Sequence, residues 1–328
     1  MTDDNFVSGN IQIDAQGSIL LNNAEINNTN AGTGNAGDIN LNAPNEISIK
    51  DSTVAAIGNQ GRIFIGDSLQ PSQVTLEGQR TETATDDGME TSFSNLLSTK
   101  NSNPDDLAGS ISINARDRIN VIGTDIQSST ESTRLDRDST DQDQLNNNFS
   151  IISLAIDGEN PLGSINIERS QIDTTNFSTG LAGNVVLNAK EKIEISDSLI
   201  FSTGQLGEIS LGETSSPEEI KFNNAFLTVS NSGVTVPENE DPQLNAGKIS
   251  INATNNISIA NNSDIRTFTE RFGNAGSLTI QSENGTVSFD NSDVFSNIEP
   301  GGFGTAGDIN ITANSITLIN GHSCNLVL

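Results

Sequence analysis

A chain of 328 residues with 43 acidic and 15 basic side chains carries a formal net charge of −28. A single cysteine, Cys324, and a single histidine, His322, exclude a disulfide framework and a zinc site of Cys and His ligands. So strong a negative charge repels nucleic acid, which binds Lys and Arg, and the lack of Trp and Tyr removes the usual stacking platforms, leaving 13 Phe.

Acidity together with 43 Asn and 39 Ser points first toward disorder. Against that, hydrophobic residues at 33% and 29 Gly together approach the ~45–50% share of ordinary globular domains. The apolar share is carried by Ile, Leu and Val, the residues of strands. No stretch reaches the ~18 consecutive apolar residues of a membrane span. The chain starts Met1-Thr2-Asp3-Asp4-Asn5-Phe6, acidic where an export leader is basic and then apolar.

A unit Gly-x-(Ile/Leu/Val)-x-(Ile/Leu) recurs along the sequence. It appears as Gly9-Asn-Ile-Gln-Ile13, Gly37-Asp-Ile-Asn-Leu41, Gly61-Arg-Ile-Phe-Ile65 and Gly109-Ser-Ile-Ser-Ile113. It continues as Gly183–Leu187, Gly207–Leu211, Gly247–Ile251, Gly276–Ile280 and Gly307–Ile311, while Phe149–Leu154 has lost the glycine. A second alternation follows each copy, as in Ile47-Ser-Ile49, Ile119-Asn-Val121, Ile193-Glu-Ile195, Ile257-Ser-Ile259 and Val287-Ser-Phe289. A third element begins at Asp51, Asp125, Asp197, Asp264 or Asp293 and alternates apolar residues with Ser or Thr.

Three period-two segments per repeat, with no helical stripe, predict an all-β, right-handed parallel β-helix. Its coils start near residues 9, 37, 61, 109, 149, 183, 207, 247, 276 and 307, one solenoid over 1–321 with an out-of-pattern tail at 322–328. Ten coils at ~4.8 Å give a stack of roughly 48 Å. Alternation turns Ile39 and Leu41 inward and Asp38, Asn40 and Asn42 outward. Asn suits left-handed corners and can ladder from coil to coil. Repeat length varies through polar insertions at corners, Glu77–Thr91, Ser129–Asn148, Glu213–Glu219 and Asn231–Leu244, expected to be solvated loops.

The copies Gly37-Asp-Ile-Asn-Leu-Asn-Ala43 and Gly247-Lys-Ile-Ser-Ile-Asn-Ala253, each followed by Ile-Ser-Ile, resemble filamentous-haemagglutinin-like exoproteins, and more narrowly their large cyanobacterial members. The resemblance runs from about Gly9 to Asn320. It implies two-partner secretion through an outer-membrane partner, residence at the cell surface or in the medium, and an unknown surface receptor or glycan as ligand. The family's secretion domain carries Asn-Pro-Asn and Asn-Ser-Asn motifs. Here Asn103-Pro104-Asp105 and Asn160-Pro161-Leu162 do not fit them, so the chain is expected to be an interior piece of a longer exoprotein or the product of a split or frameshifted gene.

The remaining motifs have plainer accounts. Gly32-Thr-Gly34-Asn-Ala-Gly37 and Gly302-Phe-Gly304-Thr-Ala-Gly307 match the dinucleotide fingerprint, but each leads into a strand rather than a helix. Phe272-Gly-Asn-Ala-Gly276 is a third version of the same corner. The acidic runs at Asp86-Asp87, Asp105-Asp106 and Asp136–Asp143 hold hard oxygen ligands without the spacing of a calcium loop. Outward carboxylates at Asp38, Glu208 and Asp308 are scattered among Asn, Ser and Lys at equivalent positions, and adjacent coils are not expected to pair two of them. With one His in the tail, Ser-His and Cys-His catalysis are excluded. Thr81-Glu-Thr83 is only a fragment of an ice-binding Thr ladder.

The expected function is therefore a non-enzymatic shaft of a secreted adhesin-like exoprotein. No catalytic, cofactor-binding or metal-ligating residue is assigned, and any ligand contact is expected at the insertions of coils 3 to 5. The alternative is a polysaccharide-active β-helix, a lyase or hydrolase, with a site built from the insertion loops.

Overall fold

In the computed structural model the three alternating segments of each repeat pair with their counterparts in the next repeat, never with each other. The structure describes residues 8–31, 34–85, 88–101, 109–131, 150–157, 162–231, 245–270, 272–320 and 325–326. Their strands form three ten-stranded parallel sheets, each taking one strand from every coil, and a separate two-stranded sheet. No helix occurs among the described residues. This is a parallel β-helix.

Register follows from the inward residues. One column of the first sheet runs Ile11, Ile39, Ile63, Ile111, Ile152, Val185, Ile209, Ile249, Leu278 and Ile309, each opposite the next. From Ile39 to Leu278 these side chains are wholly or almost wholly buried. Full burial of such a side chain is worth ~1.5–3 kcal/mol, and a one-residue slip would turn the whole set to solvent. The stack is thus locked by its own core.

Two corners explain the rest of the repeat. Between the second and third strands the chain turns through a left-handed residue: Asn23, Asp51, Gly123, Arg169, Asp197, Asn224, Asn261, Asn262 or Asn291, all with φ between 45° and 62°. Asn, Asp and Gly dominate because they tolerate this conformation. Immediately after it comes a small buried residue, and several of these join into a ladder. Ser52 Oγ accepts from the amide of Ala24, and Asn95 Oδ1 accepts from the amide of Ser52. Asn95 Nδ2 donates to Thr124 Oγ1, the amide of Thr124 donates to Ser170 Oγ, and that of Ser170 to Ser198 Oγ. Buried amides that face along the axis are satisfied coil by coil.

At the other corner the repeat glycines lie directly over one another. A Cβ on Gly37 would meet the carbonyl of Gly9, and one on Gly109 that of Gly61. Inward polar residues of the third strand close the same corner: Asn28 donates to Gly9 O at 2.8 Å, Ser128 to Gly109 O at 3.1 Å and Ser202 to Gly183 O at 2.7 Å. In coil 5, where the glycine is missing, Ser150 takes its place and is fully buried.

Three details depart from expectation. Asn42 does not face water. It is buried, donates to Asp14 Oδ1 and accepts from the amide of Ser68, because the chain turns there and its amide caps the next coil. Asn188 repeats this one-coil-on bond with the amide of Thr214. The insertion Glu77–Thr91 is not a plain loop, since Arg80–Thr85 and Gly88–Phe93 form an antiparallel hairpin. Alternating Thr at 81, 83 and 85 followed closely by Asp87-Gly88 is the sequence signal for it. Finally, within the segment read as a tail, Asn325 and Leu326 pair with Phe295 and Ser296, extending the third sheet.

Candidate functional site

Of the insertions expected to carry ligand contacts, only the hairpin is described. Its Arg80 Nη1 donates to the carbonyl of Asp197 at 3.1 Å, tying coil 3 to coil 6. Most of 129–148 and of 231–244, the acidic runs at 86–87, 105–106 and 136–143, the two Asn-Pro pairs, His322 and Cys324 lie outside the described residues. Among the described residues no three His, Cys, Asp or Glu gather into a metal-binding group. The described parts of the two glycine-rich fingerprints, Gly34–Gly37 and Gly302–Gly307, lie at the glycine corner, and strands Ile39–Asn42 and Ile309–Thr312 follow them.

Two of the three outward carboxylates beside the repeat glycine, Asp38 and Glu208, face cations. Arg62 makes a bidentate contact with Asp38, Nε to Oδ1 at 2.9 Å and Nη2 to Oδ2 at 2.8 Å. Lys248 Nζ lies 2.9 Å from Glu208 Oε1, an ion pair outside hydrogen-bond geometry. In this column the expectation that adjacent coils bring no two carboxylates together agrees with the structure.

The third sheet corrects it. On its outer face Asp125 stands opposite Gln171, and Gln127 opposite Asp173, so the two acids sit diagonally across coils 4 and 5. Gln127 Nε2 donates to Asp125 Oδ2 at 3.1 Å and Thr175 Oγ1 to Asp173 Oδ1 at 2.5 Å. Asp125 Oδ1 is buried without a hydrogen-bond partner. Burial first, and then the charge of Asp173, push the Asp125 carboxyl up to about 7 against the opposing bond from Gln127. Burial likewise raises Asp173, opposed by the Thr175 hydroxyl. Farther along the same face Asp264 stands directly opposite Asp293. Burial raises Asp264 to about 6, with Arg266 lowering it and Asp293 raising it.

Asp264 meets Asp293 because strict register stacks two third-strand motifs that start at Asp, whereas Asp173 lies two positions beyond Gln171, the residue opposite Asp125, and so meets Asp125 diagonally. Each Asp is visible in the sequence. Their proximity is not, because variable insertions separate Asp125 from Asp173 by 48 positions. Two neighbouring carboxyls with one held protonated near neutrality can donate and accept a proton on the same face.

A second feature lies at the glycine corner of coils 7 to 10. A groove of about 360 Å³ is lined by Leu206, Glu208, Asn245, Lys248, Asn274 and Ser277, among others. Asn274 leads back to Phe272, whose ring stacks on that of Phe303 in the next coil, centroids 5.0 Å apart and planes 12° from parallel. Both rings are exposed, by 43% and 63%, so they form a ridge in solvent rather than part of the core.

Comparison with known proteins finds no matching family model, no matching curated protein and no matching solved structure. Function rests on the site geometry and the sequence pattern alone.

Proposed function

We propose that this chain is a non-enzymatic structural shaft of a secreted or cell-surface adhesin-like exoprotein of the filamentous-haemagglutinin-like kind, exported through an outer-membrane partner. The observation that carries the reading is the unbroken register of all three sheets through ten coils. Such a stack gives length and stiffness from repetition, the strands of each coil pairing only with those of its neighbours. Its outer columns suit a hydrated fibre: acid meets base at Asp38–Arg62, Glu208–Lys248 and Lys50–Glu77, and Asn, Ser and Thr cover much of the remainder. Immunogold labelling of producing cells with antibody to the purified chain tests it. Label on the outer surface and in the medium, lost when the outer-membrane partner is deleted, is the expected result. Label confined to the cytoplasm refutes the reading.

A second reading, a polysaccharide-active β-helix, is favoured by one observation, the coupled Asp125 and Asp173. They stand on a strand face and not on the insertion loops from which a site was expected. Paired carboxyls are the working groups of glycoside hydrolysis. Turnover of acidic or neutral polysaccharides that disappears in both Asp125→Asn and Asp173→Asn would establish this activity. Absence of turnover across both substrate classes leaves the shaft.

A further inference from the structure

We propose that the glycine corner of coils 7 to 10 binds an extended, uncharged β-1,4-linked polysaccharide laid along the solenoid axis. The proposal takes from the shaft reading only that this face is presented outside the cell. Three observations carry it. The first is the ridge of Phe272 and Phe303, stacked in adjacent coils and open to solvent. Exposed aromatic rings are large apolar surfaces against which the C–H faces of sugar rings pack.

The second is the groove at the same corner, lined by Asn274, Ser277, Asn245, Lys248 and Glu208, with Asn274 two residues from Phe272. Its polar groups repeat with the coils, ~4.8 Å apart, close to the rise of one hexose in an extended 1,4-linked chain. Asn245 Oδ1 accepts from the amide of Asn274, and Asn274 Oδ1 accepts from the amide and hydroxyl of Thr305. Each side-chain oxygen is thus committed to the next coil. Neither side-chain NH2 has a partner among the described residues, so both remain as donors for hydroxyl groups.

The third is charge. Glu208 and Lys248 cancel inside the groove, within a protein of net charge −28. The local balance suits an uncharged ligand, while the surrounding field disfavours a polyanion. One ridge and one donor row, both in step with the coils, select a linear repeating ligand over a small compact one.

The test is isothermal titration calorimetry of the full chain with cellohexaose and with the hexamer of N-acetylglucosamine, using hexagalacturonate as the anionic control. At least one neutral hexamer should bind more tightly than its trimer, and both more tightly than hexagalacturonate. The double substitution Phe272→Ser with Phe303→Ser should weaken binding by at least about fivefold, as expected for two lost aromatic contacts. Both rings are exposed, and an unchanged thermal melt verifies that the fold survives. Ser277→Trp, which fills the groove from an exposed position, should weaken binding independently. Failure of both neutral hexamers to bind, tighter binding of hexagalacturonate, or unchanged affinity in both variants overturns the proposal. None of these outcomes bears on the surface labelling that tests the shaft.

Discussion

The carbonyl of Gly207 occupies the space that a Cβ on Gly247 would need. Backbone lies directly over backbone at this corner, and the same holds between Gly247 and Gly276 and between Gly276 and Gly307. The repeat glycine is therefore set by the distance between coils and not by a turn type. Accordingly Gly247→Ala should destabilise the chain by ~2–3 kcal/mol or more, the cost of forcing atoms into a packed site. Gly17→Ala, with open space around the added methyl, should change stability by less than ~0.5 kcal/mol. Paired thermal or urea melts measure both, and equal effects would contradict the account.

The buried ladder after the left-handed corner predicts a polar sensitivity. Ser170 Oγ accepts the amide of Thr124 and donates its one hydrogen to the carbonyl of Glu168 at 2.8 Å. Ser170→Ala leaves the buried Thr124 amide without its acceptor, and should cost ~1–3 kcal/mol despite a nearly conserved shape. Hydrogen exchange would show faster opening at Thr124 in this variant than elsewhere in the third sheet.

Asp125 makes stability fall as pH rises. Its carboxyl titrates at about 7 in the fold against 3.8 in the unfolded chain, because burial and Asp173 disfavour the anion. The folded state therefore holds the extra proton between those values. The cost of ionisation is absent below about pH 4, grows toward pH 7 and is complete above it. Asp125→Asn should be neutral at pH 4 and stabilise by about 2 kcal/mol at pH 8, allowing for the group's partial exposure. A pH series of melts on both proteins reads this directly, and a constant difference across pH would dismiss it.

The hairpin should be dispensable to the solenoid. Ser94 N donates to Gln79 O at 3.0 Å and Gln79 N to Ser94 Oγ at 2.8 Å, so the coil closes beneath the hairpin. Replacing residues 80–93 by two glycines should shift stability by less than ~1 kcal/mol, since the arms are mostly exposed and Arg80–Asp197 is their long-range tie. Loss of folding in the shortened chain would show that the tie between coils 3 and 6 matters more than its geometry implies.

Much of this was legible in the sequence. Ile39 and Leu41 turn inward because alternation leaves no other arrangement that buries both, and the repeat of that pattern fixes one strand per sheet per coil. Asn at the left-handed corners followed from its local hydrogen bonding. Asn42 was misplaced because alternation is a rule for strands, and its residue lies where the strand ends and the chain turns.

What the sequence by itself determined is the architecture: one strand of each coil in each of three parallel sheets, and the inward columns. Those follow from residue type and short-range spacing. The tertiary structure alone decided which outward groups meet. Asp125 finds Asp173 across 48 residues, Arg62 finds Asp38 across 24, and Phe272 finds Phe303 across 31. Insertions vary those separations, whereas hydrogen-bonded register holds the coils at one spacing. Neighbourhood on the outer face is therefore set by the stack of backbones and not by distance along the chain.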